Sequence, residues 1–145
     1  MRLLQVPSVG GDPIFSSSSA LYSSYSPAFQ AYLETLEAVH SGVAQSNGAK
    51  AVGNHVRREP IESVHPVVRV HPVTGIKSIF VNPGFTRRIV GVPKSESDFV
   101  LQTLFKGFVV NADFQARASW AEGTIVFWYV ATPPPTSCPA FSLSC

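Results

Sequence analysis

Four histidines, His40, His55, His65 and His71, are the residues of this chain best suited to hold a metal or move a proton. A mononuclear transition-metal site of the two-imidazole, one-carboxylate kind commonly places one His and the carboxylate two residues apart. On a strand, that spacing makes both side chains project from the same side. The local contexts here are His40-Ser41-Gly42, His55-Val56-Arg57, His65-Pro66-Val67 and His71-Pro72-Val73, and none carries Asp or Glu two positions on. His65 and His71 are an even number of residues apart, so a continuous strand would put them on one face; with a proline after each, the pair reads as structural rather than metal-ligating. Gly10-Gly11-Asp12 has neither the spacing nor the Lys-Ser/Thr of a phosphate loop, no Gly-x-Ser-x-Gly elbow occurs, and Asp12 and Asp113 have no evident carboxylate partner. Cys138 and Cys145 alone make neither a disulfide framework nor a four-ligand zinc site. Residue chemistry by itself defines no active site.

Seven basic residues (Arg57, Arg58, Arg69, Lys77, Arg87, Arg88, Lys94) stand against Glu59 and Glu62 between positions 57 and 94. Such a run can attract a phosphate or another anion, or a partner; the simpler reading is a set of cations on the solvated faces of strands, since the segment is also rich in Val and Ile. A net charge of +2 without interleaved basic and aromatic residues argues against nucleic acid as a partner. No apolar run is long enough for a membrane helix, and the first 30 residues lack the basic start and apolar stretch of a secretory signal, so a soluble, cytoplasmic protein is expected. The 145 residues suit one domain, 45% hydrophobic and only 14% charged, and residues 123–145 carry no charge at all.

The elements that would position these groups are mainly strands with flanking helices. Residues 3–6 read as a short strand ended by Pro7, and Pro13-Ile14-Phe15 as a second extended piece. The serine run 16–19 offers a helix cap. Ser26 followed by Pro27 predicts a helix start, and Phe29, Tyr32, Leu33, Leu36 and Val39 extend one apolar stripe to a stop at Gly42. Residues 43–60 have no period and read as a loop. Strands are expected at 64–71 and 77–82 around a Pro72-Val73-Thr74-Gly75 turn, then a helix capped by Ser95 with Asp98 and carrying Leu101, Leu104, Phe105 and Phe108 on one face. Alternation over 114–120 and an apolar run over 124–130 predict two further strands.

The run from His65 to Asn82, His-Pro-Val-Val-Arg-Val-His-Pro-Val-Thr-Gly-Ile-Lys-Ser-Ile-Phe-Val-Asn, followed by Gly84-Phe85-Thr86-Arg87-Arg88-Ile89, closely resembles the taurine dioxygenase family of Fe(II)- and 2-oxoglutarate-dependent oxygenases, nearest to its fungal sulfonate dioxygenases. Leu4-Gln5-Val6-Pro7, Gly10-Gly11-Asp12, the segment from Leu33 to Gly42, Phe114-Gln115-Ala116-Arg117 and Gly123-Thr124-Ile125-Val126-Phe127-Trp128 follow in the family's order. The resemblance implies a double-stranded β-helix, or jelly roll, with iron in one mouth and 2-oxoglutarate chelating it. It also implies hydroxylation of the carbon beside the sulfonate of a small substrate, with succinate and carbon dioxide as co-products. Phe85 matches an aromatic that lines the family's substrate pocket; the alternative for Phe85 is a core packing role. Trp128 matches a residue ahead of the ligand-bearing loop and reads as packing.

At the positions the resemblance assigns to the cofactors the chain departs from the family. The His-x-Asp pair would precede Met1, Pro13 stands where many members have the threonine that grips 2-oxoglutarate, and Pro135 stands at the distal His. The 2-oxoglutarate-binding Arg would follow Cys145. The expectation is therefore a partial family domain over residues 1–128 with an unrelated tail over 129–145, lacking the ligands for Fe(II) and 2-oxoglutarate and inactive as it stands. A jelly roll lacking strands at both ends is also expected to be poorly soluble. The competing expectation is a non-catalytic remnant that binds a partner or an anionic small molecule through the cluster from Arg57 to Lys94.

Overall fold

The structure, a computed structural model, describes residues 5–6, 10–56, 58–125 and 140–143. It opens with β1 (Ile14–Ser17), whose last residue caps α1 (Ser18–Ser24): the Ser17 hydroxyl accepts a hydrogen bond from the Ala20 N–H, as the serine run suggested. Ser26 caps α2 (Pro27–Glu34) in the same way through the Phe29 N–H, with Pro27 in the first turn, where its missing donor costs nothing.

Past Glu34 the structure corrects the sequence reading. The chain leaves the helix through two tight turns, Thr35 N–H to Tyr32 C=O at 3.0 Å and Leu36 N–H to Leu33 C=O at 3.2 Å, and Glu37–Ser41 becomes strand β2 instead of continuing the helix to Gly42. The apolar spacing suits either structure, and tertiary pairing decides between them. β2 lies between β3 (Glu62–Pro66) and β6 (Thr86–Ile89), antiparallel to both, so its backbone is hydrogen-bonded along two edges. Residues 43–60 also differ from expectation, because Val43–Ala51 form helix α3. That helix buries only Ser46 and so has no apolar stripe by which to be recognised.

The strand expected over 64–71 is two strands. β3 ends at Pro66 and pairs with β2, whereas β4 (Val68–Val70) pairs with β5 (Lys77–Ile79) as a two-stranded hairpin. Between them, the Val67 N–H donates to Leu36 C=O and the Val67 C=O accepts from Phe80 N–H, which couples the two sheets. The connecting turn closes through Gly75 N–H to His71 C=O at 2.9 Å, with Gly75 at φ 70°, a conformation that glycine adopts without strain.

Helix α4 (Lys94–Val110) lies over this framework and buries Val100, Leu101, Leu104 and Phe108, with Phe105 partly covered. They join Leu21, Leu33, Leu36, Ala38, Val67, Ile79, Val81 and Ile89 in the core. The capping box expected at Ser95 is absent: Pro93 precedes the helix and no side chain caps it. The serine that matters is Ser97, buried at 1% exposure, whose hydroxyl accepts the Ile89 N–H at 2.8 Å and ties β6 to α4. On the opposite side of the core, the Tyr22 hydroxyl donates to Glu34, which also pairs with Lys77 at 2.7 Å, joining α1, α2 and β5. Lys77 and then Tyr22 hold the Glu34 carboxyl below the usual carboxylate range.

A third sheet has the order β7 (Gln115–Arg117), β1, β8 (Ala140–Leu143). The alternation expected over 114–120 shortens to those three residues, after a 3-10 turn at Ala112–Phe114. Arg117 pairs with Asp12 at 3.0 Å, and Trp120 donates its indole N–H to Gly11 C=O. Residues 1–4 of the first expected strand, and 126–130 of the last, lie outside the described residues. No helix among the described residues is long and apolar enough to cross a membrane.

Ser97→Ala leaves the buried Ile89 N–H without its acceptor and should destabilise the chain by about 1–3 kcal/mol in urea unfolding. Ser95→Ala, at the position of the expected cap, should stay within about 0.5 kcal/mol of the parent.

Candidate functional site

The site is assembled by β2, β3, β6 and the turn leading into β6. The β2–β3 register pairs Ala38 with His65 and His40 with Ser63, which brings His40 and His65 within 5.5 Å of each other, ring centre to ring centre. Phe80 completes the group: it stacks on His40 at 5.1 Å and meets His65 edge-on at 5.7 Å. Its neighbours Ile79 and Val81 belong to the core, so the strand alternation sends Phe80 the other way. Arg69 from β4 sits 4.7 Å from the Phe80 ring centre, within the range for a cation on an aromatic face.

A break in register sets the height of His40. Val39 pairs with Arg88 but His40 pairs with Thr86, so Arg87 is the extra residue of a β-bulge. Thr86 is thereby opposite His40, its hydroxyl 3.3 Å from Nδ1. The same hydroxyl accepts the Asn82 N–H at 2.8 Å, while Asn82 C=O accepts both the Phe85 and Thr86 N–H groups. The 82–86 turn is thus fastened from both ends, and Ser41 N–H donates to Phe85 C=O at 2.9 Å. This lattice presents Phe85 at a cavity of 590 Å³ lined by His40, His65, Phe80, Ser46, Asn82 and Arg58, among others. The volume lies in the range of small-molecule sites.

Phe85, the residue singled out from sequence, is 37% exposed on the cavity wall and is not a buried core side chain. His65 and His71 are not brought together. The strand break at Val67 leaves His65 in the cavity with its Nε2 3.0 Å from the Ser63 hydroxyl, while His71 Nδ1 accepts the Val73 and Thr74 N–H groups of the turn. His55 is exposed on the segment after α3. The basic run is dispersed as well: Lys77 pairs with Glu34, Lys94 with Asp98, and the Arg87 guanidinium donates to Gly84 C=O at 2.6 Å. Arg58 alone of the basic residues named lines the cavity, next to Glu59.

The His40–His65–Phe80 group was not visible in the sequence, because it depends on reading 37–41 as a strand. The available signal was β-branched Val39 beside His40, in a segment short enough to pair with the Ser63-x-His65 alternation. Burial holds His40 below its ordinary value, and the neighbouring His65 and Arg69 add to the effect by disfavouring a further positive charge. His40 Nε2 and the Ser46 hydroxyl are both shut off from bulk water without a hydrogen-bond partner. Two imidazoles with no carboxylate do not make an iron site, and among the described residues no group of three His, Cys, Asp or Glu could hold a metal ion.

The sequence pattern described as "Taurine catabolism dioxygenase TauD, TfdA family" matches residues 1–129. The chain belongs to that family. It is 42% identical over 134 residues to the alpha-ketoglutarate-dependent dioxygenase cnsP of Penicillium expansum, an alignment covering 88% of this chain and 35% of that protein. It is 34% identical over 126 residues to the alpha-ketoglutarate-dependent sulfonate dioxygenase of Saccharomyces cerevisiae, covering 87% of this chain and 31% of that one. The crystal structure of a taurine dioxygenase from Burkholderia xenovorans superimposes with a TM-score of 0.67 at 28% identity, covering 84% of this chain and 38% of that chain. The sheet-rich fold with flanking helices is therefore part of the jelly roll of the TauD-type dioxygenases, as the family resemblance implied. The chain spans about a third of the length of the curated relatives it matches.

Because the folded state holds His40 below the unfolded imidazole value of about 6.5, the unfolded chain binds the extra proton first, and stability is lost as pH falls through that value. Urea midpoints should drop between about pH 7.5 and about pH 5.5, and drop less in His40→Gln, which has no titrating ring. Parallel curves for the two proteins would contradict this account.

Proposed function

We propose that this chain supplies the substrate-side wall of an Fe(II)- and 2-oxoglutarate-dependent dioxygenase acting on a small sulfonate or a related small molecule, in the cytoplasm. The reading is supported by family membership and by one observation above others: Phe85, the residue matching the family's pocket aromatic, stands on a cavity wall, held by the fastened 82–86 turn. An aromatic wall suits the short apolar stem of such a substrate, while the polar groups beside it can meet the charged head.

Phe85 and its neighbours would bind and orient the substrate. The described residues do not fit iron, since His40 and His65 lack a third donor, so no chemical step is assigned to them. We infer that this stretch of 145 residues does not consume 2-oxoglutarate by itself. The competing reading, anion or partner binding through the cluster from Arg57 to Lys94, has less support because Lys77 and Lys94 are already matched by carboxylates.

Purified chain given Fe(II), 2-oxoglutarate, oxygen and taurine should form no succinate above an iron-only blank. Stoichiometric iron binding with succinate formation would overturn the inferred inactivity. Sequencing the transcript across both ends of the coding segment tests the parent activity: a His-x-Asp codon pattern upstream and a distal His codon downstream are expected, and a transcript without them would leave the dioxygenase reading without its metal.

A further inference from the structure

The buried polar groups of the cavity are arranged to receive an acceptor. The Thr86 hydroxyl already accepts the Asn82 N–H, so its own proton is free to go to His40 Nδ1, 3.3 Å away. With Nδ1 accepting, the proton of the neutral imidazole sits on Nε2. That Nε2–H has no partner and is sealed from bulk water, and an unpaired buried donor is costly unless something enters to accept from it. Ser46, only 9% exposed, likewise has an unpartnered hydroxyl and belongs to the same cavity. Apolar walls from Phe80, Val81 and Phe85 surround these groups.

We propose that the cavity binds a small organic oxyanion, a sulfonate or a carboxylate on a short apolar stem, with His40 Nε2–H as the buried donor to its head and Phe80 and Phe85 as the wall for its stem. The choice of a sulfonate as first probe rests on the function proposed above, but the existence of the site does not: no metal is needed for it to fill. The charged and titratable groups around His40 are His65 from β3, Arg69 from β4, and Arg58 and Glu59 at the cavity. Three of these four can carry positive charge, a balance that favours an anion over a cation. An anion accepting from Nε2 stabilises the imidazolium form of His40, so binding takes up a proton and tightens as pH falls.

The test is titration of the metal-free 145-residue chain, followed by NMR of the His40 imidazole, with ethanesulfonate, propionate and the neutral ethyl methyl sulfone as probes. Ethanesulfonate, propionate or both should bind saturably, and whichever binds more tightly identifies the head group. Binding should strengthen between about pH 8 and about pH 6, shift the Nε2 resonance, and exceed that of the sulfone. His40→Phe keeps a stacked ring but removes the donor and should weaken binding roughly 10- to 100-fold, the usual worth of a hydrogen bond to a charged group. His40→Gln restores a donor and should recover most of the affinity without the pH dependence. If His40→Phe does not fold, the pH dependence and the Nε2 shift of the parent still decide. Absence of saturable binding by the folded parent, affinity independent of pH, or equal affinity in folded His40→Phe would each overturn the proposal. These outcomes are separate from the succinate assay, which reports on the iron chemistry alone.

Discussion

The pairing of β2 along both of its edges is the constraint on which the rest of this structure depends. Five residues, Glu37–Ser41, lie between β3 and β6, and the strand runs from the core to the cavity. At its start, Leu36 and Ala38 are packed among the buried side chains of α1, α2 and α4; at its end, His40 and Ser41 line the cavity. Without both pairings His40 would face neither His65 nor Thr86. The two edges also make different contributions. The regular register with β3 sets which imidazoles meet, whereas the bulge at Arg87 sets what His40 finds on its other side.

The same economy holds around the cavity, where core residues and cavity residues alternate along single strands. Phe80 lies between Ile79 and Val81, so the residues that anchor this segment in the core also fix the aromatic that stacks on His40. Asn82 continues the pattern by closing the turn that carries Phe85 with its own C=O and side chain; the Gly84 N–H donates to its Oδ1 at 2.6 Å. Such a turn ties the position of Phe85 to the strand before it and the strand after it. Displacement of the wall therefore has to strain backbone hydrogen bonds, and this is how a site at the edge of a sheet is kept in shape.

What the sequence made legible follows from which forces are local. The Ser26-Pro27 helix start and the buried face of α4 depend on capping and on a 3.6-residue period, both of which act within a few residues. The strand character of 77–79 and 86–89 was legible for a similar reason, and Phe85 could be singled out because a family likeness fixed its context. The end of α2 was not legible, since the stripe Phe29, Tyr32, Leu33, Leu36, Val39 satisfies a helix as well as it satisfies a turn followed by a strand. Only partners distant in sequence, Glu62–Pro66 and Thr86–Ile89, choose between them. Helix α3 escaped notice because it buries almost nothing, and a helix that faces solvent and a polar cavity carries no apolar period.

That failure at β2 is also why the histidines were read one at a time. An even spacing between His65 and His71 is informative only if the strand is unbroken, and the crossing of the chain at Val67, hydrogen-bonded to Leu36 on one side and Phe80 on the other, breaks it. The imidazole that belongs with His65 lies 25 positions earlier, on a segment whose own periodicity disguised it. Paired imidazoles stacked on one phenyl ring, with a cation on the far side of that ring, keep positive potential high in a partly buried place. A metal ion would compete with that potential, whereas an anion would be drawn by it. The arrangement therefore belongs to recognition of a substrate's charged head rather than to the metal chemistry of the family, and it places the two tasks on different parts of the jelly roll.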